Sequence, residues 1–166
     1  AMNNFLIEEE ESFVADLDSL GRFTLKAPIL NTSEVFLDWA RSGVNSVLEP
    51  GETYFFLNDF ASGQKLFMGK NVRLQNEILA HPIVRSRTDL TPEGRGKADA
   101  TKVWAKAESI RAVQMEGLKP LQAKYPNLSQ RYIDYAEGFY RNSQACNMMQ
   151  ARFNFPNFDV PQDYLE

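Results

Sequence analysis

The sequence predicts an α+β fold in which an antiparallel, β-sandwich-like N-terminal half of about six strands packs with a helical C-terminal half. Two observations lead to this class. Through residues 3–70 apolar side chains recur at every second position, which is the period of a half-buried strand. Through residues 71–166 they recur three or four positions apart, which is the period of an amphipathic helix. The acidic side chains are concentrated in the first segment, and such a shift in composition marks a boundary.

The first two strands are predicted on either side of a short turn. Residues 12–17 and residues 22–27 both alternate between apolar and other side chains, and Gly21 lies between them. Glycine adopts positive φ at no steric cost, so this segment is typical of a β-hairpin. Pro28 ends the second strand because it has no N–H group for the ladder. The apolar positions of the two arms are Phe13, Ala15, Leu17, Phe23, Leu25 and Ala27.

Four further strands are predicted at residues 34–39, 44–48, 53–57 and 65–68. Glu49-Pro50-Gly51-Glu52 separates two of them and has the residues of a type II turn, which requires positive φ at Gly51. Residues 53–57 are almost continuously apolar, a pattern that indicates a strand covered on both faces.

The helical half is predicted to contain one short and two long helices. The short helix covers residues 72–79 and stops before Pro82. The first long helix covers residues 98–125, and Pro120 is expected to kink or break it. Ser129 can cap the second, which extends to about Phe153. Irregular structure is predicted for residues 83–97 and 153–166.

Residues 1–166 are predicted to fold as a single cooperative unit with a β-rich region at 3–70 and a helical region at 71–166. Both regions carry apolar surface that must be covered, and leaving large side chains in water costs about 1.5–3 kcal/mol each. Only residues 69–71 separate the last predicted strand from the first predicted helix.

Composition excludes several classes of protein. A net charge of -4 and a pI near 5.1 disfavour a nucleic-acid binder, because phosphate contacts dominate that affinity. No run of 18 apolar residues is present, so no membrane span is indicated. One cysteine allows neither an internal disulfide nor a Cys-x-x-Cys pair, and one histidine excludes a multi-histidine metal site. The sequence also lacks the charged and apolar segments of a signal peptide.

Three short motifs resemble ligand sites but lack required residues. The segment that starts at Asp16 begins like a calcium loop, yet Leu20 and Ala27 stand where oxygen ligands are needed. The segment Gly63 to Asn71 has the wrong glycine spacing for a phosphate-binding loop, and Asn71 replaces the magnesium-binding Ser or Thr. The run Glu8 to Glu11 is interpreted as a solvated stretch, with a cation-binding edge as the less favoured alternative.

Single residues suggest little chemistry. His81 could be a general base, but the favoured interpretation is a residue that caps a helix C-terminus. Cys146 is interpreted as an inert helical residue. The aromatic residues Trp39, Tyr54 and Phe60 could line a sugar-binding face, although core packing is favoured. A loose basic stretch is interpreted as a solvated surface; it consists of Arg85, Arg87, Arg95, Lys97, Lys102, Lys106 and Arg111. The sequence therefore nominates no catalytic, cofactor-binding or metal-binding residue.

Several phrases in fixed order carry a family resemblance. They are DLDSLGRF (16–23), VLEPGETY (47–54), LFMGK (66–70), LQNEIL (74–79), YPNLS (125–129) and MQARF (149–153). Together they resemble the N-terminal accessory domain of TlpA-like thiol–disulfide oxidoreductases from Bacteroidetes. In that family a small β domain and helices precede a thioredoxin-like domain that carries the Cys-x-x-Cys.

The resemblance implies a function without catalysis in this chain. No position matches the family's redox motif, so the chain is expected to be a non-catalytic accessory or interaction domain that positions or dimerises a thioredoxin-like domain. It implies a periplasmic or cell-envelope location, no cofactor, and either a homodimer or a downstream thioredoxin-like domain as partner. The alternative is a carbohydrate-binding β-sandwich module of the cell surface. A stand-alone hydrolase would need a pair of converging carboxylates, and no pair is indicated.

Overall fold

The computed structural model describes residues 2–4, 9–39, 42–83 and 100–154. The chain divides into two compact units, the first ending at Pro82 and the second beginning at Ile83. The prediction of a single cooperative unit is not tested by this division and stays a prediction.

The first unit contains a four-stranded antiparallel sheet. Its strands are β1 (Met2–Asn4), β2 (Glu9–Glu11), β3 (Ser33–Trp39) and β4 (Ser42–Leu48), in the spatial order β2-β1-β3-β4. The β3–β4 pair dominates this sheet, with a register that runs from Ser33 opposite Leu48 to Trp39 opposite Ser42. Val35, Val44 and Val47 are buried, as expected for β-branched residues on the covered parts of a pleated sheet.

A second, separate sheet consists of β5 (Phe55–Asn58) and β6 (Lys65–Met68), in antiparallel register with Phe55 opposite Met68. The helix α1 (Arg73–Ala80) packs against β4 of the first sheet and against β6 of the second. Its buried residues Leu74, Gln75 and Ile78 share one face, so α1 supplies the layer that holds the two sheets together.

The described residues of the second unit form two long helices, α2 (Ala100–Lys124) and α3 (Gln130–Asn154), which pack against each other. Their core is a set of buried side chains three or four residues apart, as the sequence pattern predicts. These residues are Val103, Ala107, Leu118, Tyr132, Ile133, Ala136 and Tyr140.

The ends of the helices confirm several predictions. The Ser129 hydroxyl accepts a hydrogen bond from the Tyr132 N–H at 3.1 Å, so Ser129 caps α3. His81 is the C-terminal cap of α1, and its N–H bonds to the carbonyl of Glu77. Pro120 does not break α2, which continues to Lys124. Pro120 lacks the N–H of one helical backbone bond and its ring crowds the carbonyl one turn earlier, so α2 includes it at a local cost.

The predicted six-stranded sandwich is wrong. The structure has two small separate antiparallel sheets, and the segments predicted as the first hairpin, residues 12–17 and 22–27, are not strands. A two-stranded hairpin is marginal in water unless something covers one face. The hairpin β5–β6 has such a cover in α1, whereas the arms of residues 12–27 lie largely exposed. The short strands β1 and β2 were not predicted because their sequences show no alternation of apolar residues.

Predictions for residues 84–99 and 155–166 lie outside the described residues. The predicted turn before β5 is present: Gly51 has φ 73°, and the Glu52 N–H bonds to the Glu49 carbonyl at 3.4 Å. The positive φ is the conformation that a type II turn demands of its third residue.

Candidate interaction surface

One face of the β5–β6 hairpin is apolar and open to solvent. Residues directly opposite each other in an antiparallel pair point to the same face, so the register places Phe55 with Met68 and Leu57 with Leu66. Phe55, Leu57 and Met68 are between 42% and 63% exposed, and Phe60 in the connecting turn is 74% exposed. We call the four strand residues Phe55, Leu57, Leu66 and Met68 the hairpin face.

The opposite face of the same hairpin is firmly packed. Phe67 is buried, and its ring lies 4.7 Å from that of Phe56 and edge-on to that of Tyr54 at 6.2 Å. Such tilted and edge-on contacts are favourable aromatic geometries. The sequence prediction that residues 53–57 are covered on both faces is therefore wrong: in the described part of the chain, packing on α1 covers only one side.

The side chain of Asn76 fixes the hairpin to α1. Its Oδ1 accepts a hydrogen bond from the Phe67 N–H at 2.8 Å, and its Nδ2 donates to the Phe67 carbonyl at 2.9 Å. The Asn76 amide thus bonds to β6 as a neighbouring strand would. It pairs the N–H and the carbonyl of Phe67, and leaving these groups unpaired would cost free energy. This clamp holds the hairpin in place while its other face remains open.

Gln75 makes the corresponding contact to the first sheet. Its Nε2 donates to the Val47 carbonyl of β4 at 2.9 Å and lies 3.5 Å from the Tyr54 hydroxyl. The side chain is fully buried, and its Oε1 has no hydrogen-bond partner, a feature it shares with the buried Ser46 hydroxyl. Adjacent amides on α1 therefore connect the helix to both sheets.

The turn of the hairpin is organised by Asp59. Its carboxylate accepts bonds from the Ala61 N–H at 2.9 Å and from the Ser62 hydroxyl at 2.5 Å, and Gly63 has φ 73°. The Ser62 hydroxyl is the main reason that the pKa of Asp59 lies below its usual value. These bonds hold the turn that presents Phe60.

A second exposed apolar segment lies before β3. The Asp18 carboxylate accepts bonds from the N–H groups of Leu20 and Arg22, and it also binds the Arg22 guanidinium at 2.8 Å. The backbone bonds to Arg22 hold the pKa of Asp18 below its usual value. Gly21 closes the turn at φ 71°. The exposed large apolar residues of this segment are Val14, Leu17, Leu20, Phe23, Leu25 and Leu30.

A polar cluster lies between the two helices in the described part of the helical unit. Glu108 on α2 binds Arg111 at 2.7 Å and also accepts a hydrogen bond from Gln144 on α3. The Arg111 guanidinium, followed by the Gln144 amide, lowers the pKa of the Glu108 carboxyl. This cluster joins the two helices, and within it the buried Arg111 Nε has no hydrogen-bond partner.

Several residues that the sequence singled out lie in the described part of the structure. Gly63 to Asn71 includes the paired strand β6, so it is not a phosphate-binding loop. Cys146 is exposed and is the free cysteine of this chain. Tyr54 packs on Phe67 instead of joining Phe60 on a sugar-binding platform; the side chain of Trp39 lies outside the described residues.

Two kinds of site are absent from the described ranges. They contain no group of three or more His, Cys, Asp or Glu side chains placed to hold a metal ion. Among the same residues, no helix combines the length and apolarity that crossing a bilayer requires.

The sequence analysis missed Gln75 and Asn76. The only signal for these two residues was that they are adjacent amides inside a short amphipathic helix. The apolar pattern of that helix would place them at the edge of its buried face. Helical periodicity does not show which strand a side-chain amide will reach.

Comparisons with known proteins add no relative. No family model matches the sequence, and no significant match is found among curated proteins or among solved structures. The resemblance to TlpA-like oxidoreductases therefore stays a prediction.

Proposed function

We propose that this chain is a non-catalytic interaction domain of a cell-envelope thioredoxin-like thiol–disulfide oxidoreductase. The hairpin face carries the proposal on the structural side: an apolar surface is open to solvent on a hairpin whose strand β6 bonds to Asn76 of α1. Contiguous exposed apolar patches of a few hundred Å² are typical of interaction sites. The ordered phrases that resemble TlpA-like proteins indicate the class of protein that this surface would serve.

The proposed role is to hold a thioredoxin-like domain in a productive arrangement. A solitary cysteine can attack a disulfide but has no neighbouring thiol to release the mixed disulfide. Redox turnover would therefore belong to another domain, and this chain would contribute binding surface.

The first test is to determine the natural polypeptide encoded beyond Glu166. A Trp-Cys-x-x-Cys motif within a βαβ pattern is the expected result. A reading frame that ends here, or continues into an unrelated domain, would overturn the proposal.

The second test uses that natural polypeptide and compares two substitutions. Phe55→Asp places a charge on the hairpin face, and Val113→Asp places one on an equally exposed apolar position of α2. Phe55→Asp is expected to slow reduction of a disulfide-bonded protein about tenfold, a loss of roughly 1.4 kcal/mol of transition-state stabilisation, whereas Val113→Asp leaves the rate unchanged. Equal rates in both variants would contradict the proposal, as would specific binding of oligosaccharides by the unaltered chain.

A further inference from the structure

We propose that the outer edge of β4, from Gly43 to Asn45, binds an extended, basic segment of a partner protein as an added β-strand. This edge is a different surface from the hairpin face, so the proposal does not depend on the proposed function. It depends on three observations: the direction of the β4 backbone groups, the position of the Phe36 ring, and the acidic charge beside that ring.

The register of β3 and β4 shows which backbone groups point outward. In an antiparallel pair, opposite residues alternate between those that exchange two hydrogen bonds and those that exchange none. The Val47 carbonyl bonds to Gln75 on α1 at 2.9 Å, so Val47 belongs to the second kind. By the same alternation, Asn45 and Gly43 belong to it as well. Their N–H and carbonyl groups therefore point away from β3, toward the outer edge.

In the described part of the chain, this edge is covered at one end. β4 is the last strand of its sheet, and Gln75 pairs the edge at Val47. Among the described residues, no hydrogen bond is made to the outward groups of Asn45 and Gly43, and both residues are partly exposed. An edge with such groups pairs readily with another strand.

The Phe36 ring lies over Gly43 and makes the adjoining position suited to a cation. Phe36 on β3 shares a face of the sheet with Gly43, and a Cβ at Gly43 would overlap its ring. The side chain of Phe36 is nevertheless 42% exposed. A neighbouring strand would lie about 4.8 Å from β4, so a long side chain that it places opposite Gly43 can contact the ring. Arginine and lysine are attracted to an aromatic face within about 6 Å.

Acidic side chains lie on both sides of this ring. Asp38 is exposed and lies directly opposite Gly43, and Glu34 lies on the same face beyond Phe36. Acidic residues also outnumber basic residues through residue 70. Because complementary charge attracts a partner and like charge repels it, a basic segment fits this edge. A second copy would instead bring the same acidic face to it.

The added strand would be recognised in two ways. Its backbone would bond to Gly43 and Asn45, and its alternate side chains would lie on the face that carries Phe36 and Asp38. Since the side chains of a strand alternate between faces, we expect arginine or lysine at every second position of the partner segment.

An NMR titration of the full chain tests the proposal. The probe is the acetylated and amidated peptide Thr-Arg-Thr-Arg-Thr-Arg-Thr, which should bind with a Kd below about 1 mM and shift the amide signals of Gly43 and Asn45. The same peptide with glutamate in place of arginine should bind at least about tenfold more weakly. No binding of the arginine peptide, or equal binding of both peptides, would overturn the proposal.

Asn45→Pro tests the backbone bonds. Proline is tolerated in an edge strand where its missing N–H would face outward, so the variant should keep its fold, as unchanged amide signals of α1 would show. The Kd of the arginine peptide should rise at least about tenfold, because one donor is lost and the ring obstructs the edge. An unchanged Kd in the folded variant would contradict strand addition.

Side-chain variants test the same edge without altering its backbone. Phe36→Leu and Asp38→Asn should each raise the Kd about two- to fivefold. The matched control Asp134→Asn removes the same charge from an exposed position of α3 and should change the Kd less than about 1.5-fold. Equal effects of Asp38→Asn and Asp134→Asn would show that the peptide responds only to net charge, and would refute the proposed site.

Sedimentation equilibrium distinguishes a partner segment from a second copy. From about 1 to 100 μM, the unaltered chain and Asn45→Pro should have the same oligomeric state. A dimer that forms in the unaltered chain and is lost in Asn45→Pro would place a second copy on this edge and overturn the proposal.

Discussion

Replacing Asn76 by alanine should destabilise the first unit by removing both hydrogen bonds to Phe67. The N–H and carbonyl of this residue bond to the amide at 2.8 and 2.9 Å, and Phe67 is only 2% exposed. An unsatisfied buried polar group costs about 1–3 kcal/mol. Because Asn76 itself is only part-buried and water can reach its position, we expect a loss of about 2–4 kcal/mol, a large share of the 5–15 kcal/mol of a typical domain.

Urea unfolding measures this loss directly. With an m value of about 2 kcal/mol per M, Asn76→Ala should lower the midpoint of the unfolding transition by roughly 1–2 M. The Phe67 amide should also exchange faster with solvent, because its acceptor is gone.

Two further variants make the test specific. Asn76→Asp keeps the shape and the acceptor but loses the donor, and at neutral pH it places a carboxylate oxygen against the Phe67 carbonyl, so it should be no more stable than Asn76→Ala. Gln130→Ala removes an exposed amide that bonds to Asp134 and should change stability by less than about 0.5 kcal/mol. If Asn76→Ala behaved like Gln130→Ala, the clamp would not stabilise the hairpin.

Other measurements check the remaining predictions. Gly51→Val should lower the free energy of unfolding by roughly 1–3 kcal/mol, because φ is 73° at this position although a Cβ there meets no atom within 4 Å. Gly117→Ala in α2, where a Cβ also meets no atom within 4 Å, should instead raise it by about 0.5–1 kcal/mol in the same assay. The pKa of Glu108 is lowered in the folded state. Its stabilising contribution is therefore fully present above the ordinary pKa of 4.5 and is lost as the pH falls through the lower folded pKa. Glu108→Gln should make stability depend less on pH in that range of an acid-unfolding experiment. In an insulin-reduction assay with dithiothreitol the chain should show no turnover, and activity that disappears in Cys146→Ser would contradict this. Full-chain unfolding should be a single transition by two independent probes, and two separated transitions would show independent units.

Helices and turns whose stabilising residues lie within a few positions can be predicted from the sequence alone. The helical period of apolar residues, Ser129 at an N-terminus and Pro126 after Tyr125 locate α2 and α3, because these signals act within a few residues. The turns at Gly21 and Gly51 are equally local, since positive φ is accessible to glycine.

Which apolar faces are buried depends on the tertiary structure. Residues 12–27 and 55–58 both have strand-like patterns, yet only the second segment lies in a sheet, where its partner strand β6 packs against α1 and bonds to Asn76. A periodic pattern of apolar residues indicates that one face of a segment must be buried. The residues that bury this face are distant in sequence or belong to another molecule. The hairpin face and the two amides of α1 could therefore be located only once the chain was folded.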